Sequence, residues 1–303
     1  MKPLVEKLPL AEDASFVART HRTPQFEVPW HQHVEHELIL FVEGAGLSFV
    51  GNYIGEFQPG DIFFLGSNLP HTFQKSHEEL ITSAVVVHFK EDFWGNEFLN
   101  LPEATSIKKL LTVATQGLQI YGNCRELLSP LLQNIERQKG MQRLLNLLEC
   151  LKIVSEHNDY ALLSTQDVIP NNSRDQARID KVFQYTMDHF REQIELSEVA
   201  RIAKLSVPAF CTYFKKRTKK NYVNFLNEVR VGNACKLLQS GDHRMVDVCF
   251  DSGFNSVANF NRQFLRIKGI TPTHYKRSLN STNGSNLVML QSESKSTVVR
   301  HLS

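Results

Sequence analysis

Three histidines and one glutamate near the start of the chain have the types and spacing of a metal or small-molecule site. His31 and His33 are separated by one residue, Glu37 follows four residues later, and His71 lies further along the chain. Side chains two or four residues apart on a strand point to the same side, so the first three can face one interior that His71 reaches from a later strand. Three imidazoles and a carboxylate suit zinc, iron, manganese or nickel without choosing among them. An effector bound directly, or a hydrogen-bonded polar cluster that serves packing, remains an open alternative.

Short β-runs separated by glycine and proline surround these residues. Between Phe26 and Phe89 the runs are HELILFVEG, GLSFVG, YIGEF, DIFFLG and TSAVVVHF. Strands of this length and spacing predict a small sandwich or barrel. Strand parity turns His36 to the opposite side, where we expect it at the surface. Trp30 is a further candidate effector-binding residue, because its ring could stack on a sugar, or it could close the end of the barrel.

The spacing of the polar residues is similar to the two motifs of the cupin fold. The matching positions are His31, His33, Glu37, Gly44, Pro59, Gly60, Asp61 and His71. In metal-dependent cupins the equivalent histidines and glutamate bind the metal. The resemblance therefore implies a possible divalent transition metal held by His31, His33, Glu37 and His71.

A repeat of about fifty residues lies in the C-terminal third of the chain. Its two copies are Ser206, Phe210, Phe214, Lys216 and Ser256, Phe260, Phe264, Arg266. Each serine can cap a helix by accepting a hydrogen bond from a backbone N–H, and each phenylalanine pair falls on one helix face. A short apolar helix pattern and a turn precede each serine. The pattern predicts two helix-turn-helix motifs.

The charge of the chain is concentrated in the same region. Residues 178–279 contain 18 Lys and Arg against 9 Asp and Glu, whereas residues 1–177 are net acidic and the whole chain is only +2. A cation excess that coincides with a duplicated helix-turn-helix pattern favours a double-stranded DNA partner.

The stretch LSEVARIAKLSVPAFCTYFKKRTKKNYVNFLNEVRVGNACKLL and the later DVCFDSGFNSVANFNRQFLRIKGITPTHYKR resemble the DNA-binding domain of AraC/XylS transcription regulators. The resemblance covers about a third of the chain. It implies two recognition helices joined by a linking helix at about Val223 to Leu238, placed in the major groove on one side of DNA. Lys219 departs from the family, which often has glycine there, so either a left-handed helix end is strained at this position or the helix ends differently.

The predicted DNA-binding residues lie on the helix faces turned away from the phenylalanines. They are Ser206, Pro208, Ala209, Thr212, Lys216, Asn255, Ser256, Asn259, Arg262 and Arg266. Asn259 has the chemistry to pair with adenine and Arg262 with guanine. A structural or phosphate-binding role for Arg262 is the alternative.

We predict an α+β multidomain fold, with an N-terminal cupin-like β-barrel plus helices and a C-terminal all-α domain with two helix-turn-helix motifs. The expected domains are a sensing and dimerisation domain at 1–160, a linker at 161–177, the DNA-binding domain at 178–279 and a disordered tail at 280–303. Two leucine-rich patterns, from Leu127 to Ile135 and from Leu144 to Val154, predict helices that need an apolar partner. The partner is either their own barrel or, as for the equivalent helices of similar regulators, a second copy in a homodimer. We find no signal sequence and no membrane span, and the five cysteines are typical of reduced core thiols in a cytoplasmic protein.

These patterns predict a regulator of transcription that is not an enzyme. By family analogy a small molecule, with a sugar or sugar derivative as the leading class, binds in the cupin pocket and changes the arrangement of the DNA-binding domain. The segment from about Met1 to Ser15 is the expected moving part, and RNA polymerase is a candidate partner. The alternatives are a cupin domain that is a metal-dependent sensor or enzyme, and one that serves only for dimerisation.

Overall fold

A computed structural model describes residues 4–5, 15–23, 30–75, 80–95, 97–164, 173–239, 241 and 243–282. The N-terminal half contains eleven strands and three α-helices within these residues. The strands are β1 Leu4–Val5, β2 Val17–Thr23, β3 His31–Gln32, β4 His36–Glu43, β5 Gly46–Val50, β6 Tyr53–Phe57, β7 Ile62–Leu65, β8 His71–Lys75, β9 Thr82–Phe89, β10 Leu118–Ile120 and β11 Tyr160–Leu162. The helices are α1 Thr105–Ala114, α2 Gly122–Ile135 and α3 Gly140–His157. All five β-runs expected from the sequence are confirmed as strands.

The strands form two sheets that pack face to face. One sheet has the order β1-β3-β8-β5-β6 and the other β11-β10-β7-β4-β9-β2. Four phenylalanines fill part of the space between the sheets, with Phe41 stacked on Phe57 at 4.0 Å between ring centroids and Phe63 and Phe73 beside them. This architecture confirms the expected β-rich N-terminal domain.

Helices α1 to α3 cover the outer face of the second sheet. Their buried residues, among them Leu128, Leu132 and Leu151, share one core with Leu38 and Val87 of the sheet. A sheet that is covered on both faces buries every residue of its central strands, and all eight residues of β9 are buried. Both faces of the second sheet are therefore buried, and a polar side chain on its inner face lies between the two sheets.

In the described part of residues 173–282, seven helices follow, and they form two units joined by a long helix. They are α4 Ser173–His189, α5 Leu196–Ile202, α6 Val207–Thr218, α7 Tyr222–Gln239, α8 Met245–Asp251, α9 Val257–Lys268 and α10 Pro272–Thr282. Phe210 and Phe214 are buried in the core of the first unit, and Phe260 and Phe264 in that of the second. The predicted helix-turn-helix pairs are confirmed as α5/α6 and α8/α9, and the linking helix as α7.

Several expectations concern segments at the edges of the described structure. Strand β11 and the start of α4 occupy the two ends of the predicted linker, and residues 165–172 lie outside the described residues. Helix α10 extends to Thr282, and the rest of the predicted tail lies outside them as well. Of the predicted moving segment, Leu4 and Val5 pair in parallel with His31 and Gln32. In the part of the chain that is described, no helix has the length and apolar character needed to cross a membrane.

The five cysteines are all free, and four of them are buried. The prediction that all are core thiols is wrong for Cys211, which is exposed on α6. It lies to the side of the buried Phe210 and Phe214, because a step of one residue rotates about 100° around the helix.

Candidate functional site

The two recognition helices, α6 and α9, begin in the same way. Ser206 is the N-cap of α6 and its hydroxyl accepts a hydrogen bond from the N–H of Ala209 at 3.4 Å. Ser256 does the same for α9, accepting from the N–H of Asn259 at 3.5 Å. The capping role predicted for both serines is confirmed. Because each cap sets where its helix starts, it also sets which side chains lie opposite the buried phenylalanines.

The C-terminal ends of the same helices differ in residue type but not in backbone conformation. Gly269 ends α9 with φ +73°, which glycine adopts without strain. Lys219 ends α6 with φ +57° and ψ +4° in the left-handed region, so the first of the two alternatives left by the sequence holds. The helix end at Lys219 is therefore strained by its Cβ.

All ten predicted DNA-binding residues lie at the surface of the two units. Those on the first helix are exposed, namely Ser206, Pro208, Ala209, Thr212 and Lys216. On the second, Asn255, Ser256, Arg262 and Arg266 are exposed and Asn259 is partly buried. The face of α6 therefore presents mainly small side chains, and the face of α9 presents amide and guanidinium groups.

Two arginines on α9 are already held by amide groups. The Nη2 of Arg262 donates to Oδ1 of Asn259 at 2.9 Å, one turn away. The Nη1 of Arg266 donates to Oδ1 of Asn224 on α7 at 3.1 Å. Arg262 lies opposite the buried phenylalanines and carries free guanidinium surface, whereas Arg266 is partly engaged with the linking helix.

The histidines and the glutamate predicted from the sequence come together between the two sheets. Oε2 of Glu37 lies 3.2 Å from Nε2 of His33 and 2.9 Å from Nε2 of His71. His31 pairs with His71 across β3 and β8, with 4.3 Å between their ring centroids. All four side chains are buried. We call His31, His33, Glu37, His71 and His88 the imidazole cluster.

His88 is the member that the sequence interpretation missed. Its Nε2 lies 3.2 Å from Oε1 of Glu37, and its ring is 4.9 Å from that of His33. The residue sits directly opposite Glu37 in the pairing of β4 with β9. Residues directly opposite each other on two paired strands point to the same face of the sheet. His88 in the run TSAVVVHF could therefore be placed beside Glu37 only from the register of β4 and β9.

Backbone carbonyls determine which ring nitrogens of the cluster carry a proton. Nδ1 of His33 lies 3.0 Å from the carbonyl of Glu35, and Nδ1 of His71 lies 2.8 Å from that of Leu69. A carbonyl oxygen only accepts, so each Nδ1 donates its N–H and each Nε2 of a neutral ring presents a lone pair. Both of these Nε2 atoms face the carboxylate of Glu37.

The electrostatics of the cluster favour an ionised carboxylate beside positive charge. Burial acts to raise the pKa of Glu37, but the charges of His88 and His71 and the hydrogen bonds from His33 and His71 hold it well below its usual range. Burial acts to lower the pKa of His33, but the hydrogen bond and charge of Glu37 raise it overall. Lone pairs facing a carboxylate require either protonated rings or a bound cation. The donor set of imidazole nitrogens and one carboxylate is one that transition metals accept, so these residues fit a metal ion.

The expectation for His36 is wrong in one respect. Its side chain does point away from the cluster, but it is buried and stacks on Phe89 at 5.4 Å. The reason is that helices cover the outer face of the second sheet, which parity alone does not reveal. Burial, followed by the charge of His33, lowers the pKa of His36 to about 4.

Trp30 lies where the β-rich domain meets the C-terminal helices. Its ring packs edge-on against Phe183 of α4 at 5.9 Å, in one hydrophobic cluster with Leu47 and Phe49. Consecutive residues of an extended segment point to opposite sides, so this ring is directed away from the interior that His31 faces.

Comparison with known proteins is consistent with both halves of this description. An AraC-like ligand binding domain model matches residues 13–166, and a helix-turn-helix domain model matches residues 199–278. The chain belongs to the AraC family of transcriptional regulators. As a member, the regulator combines a DNA-binding helix-turn-helix region with a small-molecule ligand-binding domain.

The curated relatives are regulators of similar length. The regulator is 22% identical over 258 residues to the uncharacterized HTH-type transcriptional regulator YdeC of Bacillus subtilis, covering 82% of this chain and 86% of the relative. It is 21% identical to the HTH-type transcriptional activator RhaS of Mannheimia succiniciproducens, covering 83% and 90%. Among solved structures, ToxT of Vibrio cholerae is 14% identical with a TM-score of 0.37, covering 88% of this chain and 98% of ToxT. YdeC and RhaS are transcriptional regulators by name, which accords with a regulatory role for this chain.

Proposed function

We propose that the regulator binds a specific duplex sequence through α6 and α9 and that a small molecule at the imidazole cluster controls this binding. The observation that carries the proposal is the convergence of three imidazoles, those of His33, His71 and His88, on the buried carboxylate of Glu37 inside a ligand-binding domain. Buried polar groups are costly unless they are paired, so a cluster of this size in the sensing domain is expected to have a ligand.

On DNA, the two recognition helices are proposed to read major-groove segments about 34 Å apart, one helical turn of the duplex. The helix α9 carries the groups with the most base-reading chemistry. Asn259 can bond adenine and Arg262 can bond guanine through two hydrogen bonds each. The helix α6 presents mainly small side chains and Lys216, so we propose that it contributes affinity more than discrimination.

The proposed effector class is a sugar or sugar derivative. Its hydroxyl groups both donate and accept, which matches imidazole nitrogens and a carboxylate. The remainder of the interior is filled by phenylalanines, such as Phe41 and Phe57, so the polar end is the part suited to such a ligand.

A divalent transition metal is the second candidate ligand of the cluster. It is favoured by the lone pairs that Nε2 of His33 and of His71 direct at Glu37, since several buried imidazolium ions around one carboxylate would be costly. His31, His33 and His71 would hold it, or His33, Glu37 and His88 would, because the ligand atoms within each of these sets lie close enough together to share one ion. A bound metal would supply a Lewis-acidic anchor for an effector hydroxyl or carboxylate. With a bound metal, the domain could act either as a metal-dependent sensor or as an enzyme.

One experiment separates the two ligand classes. The metal content of untagged protein, purified without chelator, is measured by inductively coupled plasma mass spectrometry for the wild type and for His33→Ala. About one equivalent of metal that is lost in the variant supports the metal. Protein that binds DNA but holds no metal supports the organic effector, and a sugar screen by thermal shift, with His71→Ala as the non-binding control, then tests that class.

We also propose that the regulator is a homodimer through α2 and α3. Leu127, Met141 and Leu145 are exposed on these helices although they are large and apolar. A second copy would cover them, and two-fold pairing is the most frequent assembly of identical chains. Leu145→Glu is expected to shift the chain to monomer in sedimentation velocity, and an unchanged dimer would exclude this interface. RNA polymerase remains a proposed partner of the DNA-bound regulator.

A further inference from the structure

We propose that Trp30 and Asn52 are positioning residues that hold the first recognition helix, α6, and connect it to the imidazole cluster. The inference rests on the proposed function, because it names how the state of that cluster reaches the DNA-binding region. Two separate sets of contacts lead from the cluster, one through Trp30 and one through Asn52, and both end on α6.

The first set of contacts is a chain of packed aromatic rings. Trp30 precedes His31 in sequence, and its ring lies 5.9 Å from that of Phe183 at an interplanar angle of 81°. Phe183 in turn meets Phe214 of α6 at 6.0 Å and 87°. Phe183 and Phe214 are fully buried and Trp30 is 4% exposed, so a displacement of the indole has no free space to absorb it.

The second set of contacts is a chain of hydrogen bonds through the hairpin of β5 and β6. Val50 is paired with His71 in the register of β5 and β8, and the N–H of Gly51 donates to the carbonyl of Pro70 at 2.8 Å. The next residue, Asn52, donates from Nδ2 to the carbonyl of Thr218 at 2.7 Å. The strand that carries His71 is therefore joined to the end of a recognition helix by three consecutive residues.

The bond from Asn52 acts as a helix cap supplied by another domain. Thr218 is the last residue of α6, and the final carbonyls of a helix have no partner within it. Asn52 is buried and is itself held by Ser164, whose hydroxyl donates to its Oδ1 at 2.8 Å. Its backbone carbonyl also accepts from Nζ of Lys220 at 3.3 Å. The cap is thus fixed on the sensing-domain side and follows the position of the hairpin.

The two sets of contacts start from neighbouring members of the imidazole cluster. His31 and His71 are directly opposite each other on β3 and β8. A ligand that draws these two side chains together or apart shifts Trp30 and the hairpin at the same time. Such a ligand shifts α6 only if it binds one arrangement of His31 and His71 more tightly than the other. The packed contacts through Trp30 and Asn52 link each arrangement of the histidines to a position of α6.

The test measures hydrogen–deuterium exchange of α6 in the full chain by mass spectrometry, without DNA or added ligand. In Asn52→Ala and in Trp30→Ala, amides of residues 207–218 are expected to exchange about twofold to tenfold faster, the effect of losing one hydrogen bond or a comparable contact. Trp30→Phe keeps the ring against Phe183 and is expected to restore slow exchange. Trp94→Ala is the matched control, because Trp94 packs on Phe89 and Phe93 and should affect only that region.

Coupling to the cluster is tested by combining variants. His71→Ala is expected to speed the exchange of α6 in the wild-type background and to add nothing when Asn52→Ala and Trp30→Ala are already present. The inference is overturned if His71→Ala changes exchange only in β3, β5 and β8, or if its effect on α6 is the same in both backgrounds. Asn52→Ser and Trp30→Leu give the same comparison where an alanine variant does not fold.

Failure of the inference and failure of the proposed function give different results. A chain that does not bind duplex DNA or any sensing-domain ligand contradicts the proposed function whatever α6 does. A chain that binds both, but in which α6 does not respond to His71→Ala, contradicts the inference alone.

Discussion

The ion pair between Glu56 and Lys268 joins the sensing domain to the second helix-turn-helix unit across more than two hundred residues of sequence. Nζ of Lys268 lies 2.6 Å from Oε1 of Glu56, and the hydroxyl of Tyr275 donates to the same oxygen at 3.1 Å. The side chains of Lys268 and Glu56 are 24% and 35% exposed. An exposed ion pair contributes about 0 to 1 kcal/mol, whereas a hydrogen bond to a charged group contributes about 1.5 to 3 kcal/mol. Because this pair is partly screened by solvent, we expect a coupling energy of about 1.5 kcal/mol.

A double-mutant cycle measures that energy. The free energy of unfolding is obtained from urea titrations of the wild type, Glu56→Gln, Lys268→Met and the double variant, each followed by circular dichroism and by tryptophan fluorescence. The matched control is the pair Glu149 and Lys152 on α3, which is 3.3 Å long, about half exposed and lies within one helix. Its coupling is expected to stay below about 0.5 kcal/mol.

The comparison between the two cycles decides the outcome. A coupling for Glu56 and Lys268 that is no larger than that of the control pair would refute the reasoning, because it would mean that the two domains do not share this contact in solution. Glu56→Gln alone is expected to cost more than the coupling energy, since it also weakens the acceptor for Tyr275.

Three further predictions test the DNA-binding helices and the core. Arg262→Ala is expected to cost about 1 to 3 kcal/mol in operator affinity and to relax the base preference at one operator position in a selection assay. Arg201→Ala, at an exposed arginine, is the control. A loss of affinity that is uniform across sequences would mean that Arg262 contacts phosphate. Gly269 and Lys219 both have positive φ, where a Cβ is strained. Gly269→Ala adds a Cβ and is expected to lower the free energy of unfolding by about 1 kcal/mol, whereas Lys219→Gly removes one and should not lower it. His36→Phe is expected to raise the melting temperature, because both ring nitrogens of His36 are buried and have no hydrogen-bond partner among the described residues; a lower melting temperature would contradict this.

Local patterns in the sequence were sufficient for five of the described strands, for α2 and α3, and for α5 to α9. The capping serines and the i, i+4 phenylalanines specify α6 and α9 because the groups involved are neighbours along the chain. Strand alternation predicted that His31, His33 and Glu37 face one interior, and they do. The single strand assumed for them is wrong, because His31 lies on β3, Glu37 on β4 of the other sheet, and His33 between the two strands. These features depend only on helix and strand geometry.

Features that depend on pairing between distant segments could not be predicted in the same way. His88 joins Glu37 only because β9 pairs with β4 in one particular register. His36 is buried because helices that follow much later in the chain cover its sheet. Trp30 meets Phe183 because the two domains dock, and Gly232 on α7 gives Ile54 room to approach, since a Cβ there would lie 3.2 Å from its Cγ2. No local periodicity encodes such contacts.

The two helix-turn-helix units depend on the sensing domain to different degrees, and this predicts how control affects recognition. Trp30, Leu47 and Phe49 belong to the core of the first unit, whereas among the described residues the core of the second comes entirely from the C-terminal region, from α7 onward. The first unit also carries the helix with small exposed side chains, and the second carries Asn259 and Arg262. Loosening the first unit should therefore weaken binding by a similar factor on every operator and leave base preference unchanged. Asn52→Ala, tested against a library of operator variants, is expected to lower all affinities in parallel, and a changed base preference would show that the sensing domain also directs the second helix.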